Sequence, residues 1–184
     1  IPITGNTINS IDVLNGVASG VVTIASFALA ISLFIMQNYE IGIASLCLAF
    51  ASLGFYKYHK FPSKIFPGDS GALVLGSTYG VIAIVGQVEV ISAIAILPAV
   101  INSFLFLTSV KRIVEHREIK NPTSHTDDFK LKTTGDTTAP ITLVRLIIAK
   151  LPLSEKQIGT EIFKLSIFCG ILAVITAFFM GVKI

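Results

Sequence analysis

Five apolar stretches that share a single charged side chain constrain this chain more than anything else in it. They run from about Val13 to Met36, Ile41 to about Tyr56, Gly71 to Gly86, Ile91 to Val110 and about Ile162 to Val182, and the one charge is Lys164. A helix needs roughly 20 mostly apolar residues to cover about 30 Å of hydrocarbon. An Asp or Lys at its centre costs about 2.5–3.5 kcal/mol on insertion scales. The pattern therefore predicts an all-α, polytopic membrane bundle of about five spanning helices. The second and third stretches are short and need a thinned bilayer, snorkelling ends or shelter inside the bundle. Pro98 predicts a kink in the fourth, which neighbouring helices can accommodate.

Composition closes off other classes. Only 14% of the residues are charged, against about 25% in soluble domains, and 53% hydrophobic content excludes disorder. A net charge of +3, scattered along the chain, gives no nucleic-acid footprint. Cys47 and Cys169 both sit in apolar runs, so no disulfide scaffold is expected. The chain begins at Ile1, with no signal peptide before its apolar segments. It is expected to be the C-terminal part of a single membrane domain whose upstream helices are missing.

Lysine and arginine set the expected orientation. Loops Gln37–Glu40 and Gln87–Val90 carry neither residue, whereas Lys57, Lys60 and Lys64 follow the second stretch. The long segment 111–160 holds Lys111, Arg112, Arg117, Lys120, Lys130, Lys132, Arg145, Lys150 and Lys156, and only Lys183 falls on the other side. The positive-inside rule then places the N-terminus, the Lys57–Gly71 loop and segment 111–160 in the cytoplasm. Three polar segments, Asn6–Asn15, Lys57–Gly71 and Lys111–Lys120, consequently share one membrane face. That clustering suits an enzyme with a lipid and a cytosolic substrate; equally, any membrane protein has polar, basic cytoplasmic loops. Within the long loop, 121–140 is rich in Thr, Ser, Asp and Lys and reads as solvated, His125 and Asp127–Asp128 included. Ile141–Leu151 reads as an amphipathic helix at the interface, or as a short helix packed on the bundle.

Candidate chemistry lies in the three polar segments. In Phe66-Pro67-Gly68-Asp69-Ser70-Gly71, the carboxylate of Asp69 stands at a helix start. The dipole favours it there, and it can hold Mg²⁺ through oxygen, or Asp69 or Ser70 can simply cap the helix. Asn9, Asp12 and Asn15 recur every three residues and would share a helix side. They offer metal ligands and amides able to read a base edge, or else interhelical hydrogen bonds. His116, Arg117 and Lys120 can bind a pyrophosphate. The Gly16-x-x-x-Gly20 and Gly76-x-x-x-Gly80 pairs read as packing surfaces. No P-loop, HExxH, GxSxG or zinc-spaced Cys/His cluster is present.

Taken in order, NSIDVLNG (Asn9–Gly16), GFYKYHKFPSKIFPGDSG (Gly54–Gly71) and EHREIK (Glu115–Lys120) resemble the polyprenyl-phosphate N-acetylhexosamine-1-phosphate transferases. The dolichyl-phosphate branch, of eukaryotic and archaeal type, is the nearer one; the bacterial phospho-N-acetylmuramoyl-pentapeptide branch is more distant. The stretch Thr142–Leu151 before a last spanning helix is also similar to the dolichyl branch.

The resemblance implies Mg²⁺-dependent transfer, with Mn²⁺ as a substitute, of N-acetylglucosamine 1-phosphate from a UDP-sugar to a polyprenyl phosphate. The product would open lipid-linked oligosaccharide synthesis for protein N-glycosylation. It implies catalytic roles for Asp69, Asn9 and Arg117, with Asp69 and Asn9 as metal ligands. Asn15 would read uracil, Phe66 would stack on it, and Asp12, His116 and Lys120 would complete substrate binding. An active site on the cytoplasmic face, in the plasma membrane or the endoplasmic reticulum, and a homodimer are further expectations.

There are departures. Glu115 and Lys120 stand where arginines are usual, and His59 where the family commonly has Asn. Asp12 looks bacterial, and the family's Asp-Asp motif is missing with the upstream helices. A transferase for another UDP-N-acetylhexosamine in cell-wall or surface glycan synthesis, or a non-catalytic or transporter bundle, are the competing readings.

Overall fold

The computed structural model describes residues 1–110, 121–126, 128–136 and 138–181. Among the described residues, eight helices, α1 (Pro2–Ile11), α2 (Val17–Ile35), α3 (Tyr39–His59), α4 (Gly68–Val85), α5 (Glu89–Ala95), α6 (Leu97–Val110), α7 (Leu143–Ile147) and α8 (Glu155–Gly181), account for nearly all of the regular structure. A small hairpin of β1 (Thr123–His125) and β2 (Leu131–Thr133) completes it.

Among the described residues four helices are long and apolar enough to cross a membrane, five if the bent α5–α6 pair is one span. The protein is an integral membrane helical bundle. Helix α2 is its axis: 72% of its apolar window is buried, against 28–33% for the other three spans. Its neighbours in the bundle are α1, α3, α4, α5 and α8.

The seam between α2 and α3 is stitched by hydroxyls. Ser45 Oγ donates to Ser26 O at 2.9 Å and Ser52 Oγ to Ser19 O at 2.8 Å. Such bonds recur where helices pack in lipid, because hydrocarbon offers a polar group no other partner.

Small residues let α1 lie against α4. A Cβ added at Gly76 would sit 2.5 Å from Thr4 O, 2.9 Å from Gly5 Cα and 3.0 Å from Ile8 Cβ. Gly80 likewise abuts Thr4, and Gly20 abuts Phe163 of α8, so both glycine pairs serve packing. Gly76→Ala is expected to destabilise the protein by about 1–3 kcal/mol, the usual cost of overpacking. The check is the thermal midpoint in detergent, with Gly54→Ala as control, since a Cβ there meets nothing within 4 Å.

The helix boundaries correct several expectations. Helices α3 and α4 are 21 and 18 residues long, so the second and third spans extend beyond Ile41–Tyr56 and Gly71–Gly86 and need no special accommodation. The fourth span is two helices bent by 79°, with Pro98 in the first turn of α6, where its missing N–H costs least. The last span starts at Glu155 rather than Ile162 and has 27 residues. Its added turns carry polar side chains such as Glu161, which pairs with Lys164 at 2.7 Å.

The helix read over Ile141–Leu151 forms as the five-residue α7, the short, bundle-packed form of its two readings. Leu143, Val144 and Ile148 are buried, Thr142 caps the helix through Arg145 N–H, and Leu143 N–H donates to Asn102 Oδ1 of α6 at 2.9 Å. Arg145 donates to the carbonyls of Asp136, Ala139 and Pro140, which holds the helix against the bundle. Segment 121–140, read as solvated loop, holds the antiparallel hairpin, in the register Thr123↔Thr133, Ser124↔Lys132, His125↔Leu131. Leu131 also bridges to Leu153, which ties the hairpin to the chain entering α8.

Connectivity sorts the turns by end. The end of α1, the start of α2, the end of α3, the start of α4 and the start of α8 converge at one end of the bundle. The α2–α3 and α4–α5 turns, which carry no Lys or Arg, lie at the other.

Candidate active site

A cavity of about 410 Å³ opens at the convergent end, lined by Asn6, Asn9, Ser10, Asp12, Val13, Phe66, Gly68 and Asp69. Two of the three polar segments therefore meet in space although more than 50 residues separate them. The third, with His116, Arg117 and Lys120, lies in 111–120, outside the described residues.

Local structure explains each placement. Helix α1 stops after Ile11, where Asp12 N–H turns back to Asn9 O at 3.2 Å. Gly16 then takes φ +81° and opens α2. That φ is in the left-handed region, which costs glycine little, and a Cβ there would sit 2.9 Å from the Tyr56 ring. The break corrects the single helical stripe expected for Asn9, Asp12 and Asn15. Asn9 is on α1, Asp12 caps its end, and Asn15 is in the turn beyond.

Asp69 is the second residue of α4, whose first-turn N–H groups favour a negative charge. Pro67 is the N-cap residue and gives no side-chain cap, and Gly68 turns the chain at φ +61°. Among the described residues the Asp69 carboxylate accepts no hydrogen bond. The simple capping role therefore has no geometric support, and the carboxylate faces the cavity wall unclaimed.

Asp12 is the second carboxylate, with a side chain only 6% exposed. Burial first, and the nearby charge of Asp69 second, push its carboxyl up from 3.8 to about 6. Its Oδ1 is buried without a hydrogen bond and lies 3.5 Å from His59 Nε2. The sign of the linkage follows. Between about pH 4 and 6 the folded state holds a proton that the unfolded state has released, so this contribution to stability is full below pH 4 and lost as pH rises through 6. A cation between the carboxylates should oppose that loss. The expected outcome is a metal-free thermal midpoint that declines across this window and recovers with Mg²⁺ above pH 6, measured by a melt series with and without chelator.

Among the described residues no group of three or more His, Cys, Asp or Glu side chains gathers. Two carboxylates and the Asn9 amide on one cavity still suit Mg²⁺, which takes few protein ligands and keeps several waters. The orphaned, buried Asp12 Oδ1 and the electrostatic strain between Asp12 and Asp69 are what a divalent cation would relieve.

Phe66 is half-exposed on the cavity, with its ring edge-on to His59, centroids 5.2 Å apart. Asn15 does not line the cavity. Its backbone and side-chain N–H groups both donate to Glu155 Oε1 of α8, at 2.6 and 2.5 Å, while its side-chain oxygen has no partner among the described residues.

Three contributors were not picked out from the sequence. Asn6 stands one i,i+3 step before Asn9, a spacing that could have revealed it. Ser10 bonds Ser103 of α6 at 2.6 Å, a long-range contact with no local signature. His59 was visible only as a departure from the resembled pattern.

Residues 1–87, which carry α1 to α4 and every residue lining the cavity, match glycosyl transferase family 4. The chain is 34% identical over 176 residues to a Methanocaldococcus jannaschii protein provisionally named a glycosyltransferase, covering 95% of this chain and 56% of that one. It is 37% identical over 120 residues to a phospho-N-acetylmuramoyl-pentapeptide-transferase of Clostridium botulinum, 60% of this chain and 36% of the relative. The Bacillus subtilis protein of the same name is 34% identical over 115 residues, 59% of this chain and 36% of its own length. The chain thus spans only about a third to a half of the curated relatives it matches.

Proposed function

We propose that the intact protein transfers an N-acetylhexosamine 1-phosphate from a UDP-sugar to a polyprenyl phosphate at the cytoplasmic face of its membrane, releasing UMP. One observation carries this reading: Asn9, Asp12, Phe66 and Asp69 converge on a single cavity at the basic end of an apolar bundle.

In the reaction, an oxygen of the acceptor phosphate attacks the β-phosphorus of the UDP-sugar. The new P–O bond forms as the bond to the bridging oxygen breaks, and UMP departs with that oxygen. A phosphate monoester, with a second pKa near 6, is largely dianionic at neutral pH, so no dedicated base is needed. The task left to the protein is to hold two anions together, which is positioning and electrostatics.

Asp69, Asp12 and Asn9 would hold Mg²⁺, which when bound supplies positive charge to the pyrophosphate. Phe66 offers an aromatic face for the uracil. Asn15 lies outside the cavity with its amide fixed by Glu155, so a contact from it to the uracil is implied by the sequence resemblance alone. Arg117, His116 and Lys120 are assigned to the remaining phosphate and sugar contacts.

N-Acetylglucosamine is the sugar and a dolichyl-type phosphate the acceptor in the favoured version, which makes the product a first intermediate for protein N-glycosylation. The likeness to an archaeal relative along 95% of the chain supports it. Asp12 on the cavity wall, with the bacterial relatives, favours the second reading, a UDP-N-acetylmuramoyl-pentapeptide donor. A donor panel on the purified intact protein decides between them. UMP release from UDP-N-acetylglucosamine at least tenfold faster than from the muramoyl-pentapeptide donor is expected, and the reverse order would select the second reading. A transporter has less support, because its polar groups belong near the midplane on broken helices and here they gather at one end.

A further inference from the structure

His59 is buried to 0% exposure at the end of α3, between Phe55 and Phe66, whose ring centroids lie 5.5 and 5.2 Å from its own. It has two polar neighbours on opposite sides. Ser19 Oγ of α2 is 2.9 Å from Nδ1, and Asp12 Oδ1 is 3.5 Å from Nε2. Neither Nε2 nor Oδ1 has a hydrogen bond elsewhere, and both are buried.

The arrangement of donors decides the tautomer. Ser19 Oγ has two acceptors in range, Nδ1 at 2.9 Å and Gly16 O at 3.4 Å, and the shorter contact takes its proton. A bare Nδ1 puts the ring proton on Nε2, facing the carboxylate. The opposite tautomer would aim a lone pair at Asp12. Ser19 is itself held from α3, through Ser52 Oγ on its carbonyl at 2.8 Å. A chain Ser52–Ser19–His59–Asp12 therefore runs from the α2–α3 seam to the cavity wall.

We infer that His59 is a positioning residue that donates its Nε2 proton to Asp12 Oδ1 and so aims the Asp12 carboxylate at the divalent cation of the site. The inference rests on the reading of the cavity as a cation and pyrophosphate site. At 3.5 Å the contact is long for a hydrogen bond, and such contacts often shorten only when the ligand arrives. Partners that orient a metal ligand through a second hydrogen bond typically change metal affinity by about 10–100-fold when removed.

Two measurements on the intact protein in detergent test it. In ¹⁵N-histidine-labelled, metal-free protein, the ring signal lost in His59→Gln should show a protonated Nε2 and a bare Nδ1; a protonated Nδ1 would overturn the inference. Mn²⁺ titration followed by electron paramagnetic resonance should give about tenfold weaker binding in His59→Phe. His59→Gln, whose amide N–H can reach the same oxygen, should return to within about threefold of wild type. A purely structural role would give the two variants equal affinities.

Should His59→Phe fail to fold, Ser19→Ala replaces it. Mixed tautomers and about threefold weaker Mn²⁺ binding are then expected, and no change in either would overturn the inference. Wild-type protein that binds no Mn²⁺ sinks the cation reading and this inference with it. Wild-type protein that binds Mn²⁺ no better than His59→Phe sinks this inference alone.

Discussion

Asp69→Asn lowers Mg²⁺-dependent UMP release by about a thousandfold, on the order of 4 kcal/mol of transition-state stabilisation. The size follows from what the substitution removes. The amide keeps the shape and one oxygen but discards the charge that holds a divalent cation beside a pyrophosphate. Among the described residues the one other cavity carboxylate, Asp12, cannot hold the cation alone, since it is buried to 6% exposure beside His59. The fold should survive, because Asp69 makes no hydrogen bond among the described residues and lies at an exposed helix start. A second consequence separates the electrostatic role from mere damage. Without the Asp69 charge, the Asp12 carboxyl should fall below about 6 yet stay above 3.8, since burial is the larger cause of its rise. Steady-state UMP assays, paired with a pH series of Mn²⁺ affinity, check both statements. Near wild-type turnover in Asp69→Asn would remove the residue from the metal site.

Phe66→Ala weakens UDP-sugar binding by about 1–3 kcal/mol, the range for base–aromatic stacking by alanine substitution. That corresponds to about 5- to 150-fold in Kd. The ring contributes little to stability, being 54% exposed with only an edge contact to His59. The expected signature is a raised KM for the nucleotide sugar with a nearly unchanged KM for the lipid. Phe66→Tyr should behave as wild type, because a phenol stacks as well as a phenyl ring. Equal nucleotide affinity in Phe66→Ala would end the stacking role.

The membrane architecture was legible because it depends on local quantities. Apolar length and missing charge place α2, α3, α4 and α8 without any knowledge of their neighbours. Hydropathy is blind to caps and to tertiary anchors. It therefore could not see the break after Ile11, which depends on a positive φ at Gly16. Nor could it choose between the two readings of Ile141–Leu151, because the Asn102 and Arg145 hydrogen bonds that hold α7 on the bundle are tertiary.

The site divides in the same way. Asp69 and Phe66 sit in a compact motif around a helix start and were readable as a unit. The partnership of Asp12 with His59 joins residues 47 positions apart in the sequence and exists only once α1, α2 and α3 have packed. Asn15, singled out by its spacing, is tied to Glu155 at the start of a helix 140 residues away, which no local pattern encodes.

The most direct test of phosphoryl transfer uses UDP-N-acetylglucosamine carrying ³²P at the β-phosphorus, incubated with the purified intact protein, Mg²⁺ and a polyprenyl phosphate. The account predicts that the label moves into a chloroform-soluble pyrophosphate lipid while unlabelled UMP appears in equal amount, and that chelation stops both. Label that stays in water as UDP, with only the sugar reaching the lipid, would mean attack at the sugar carbon and would contradict the account.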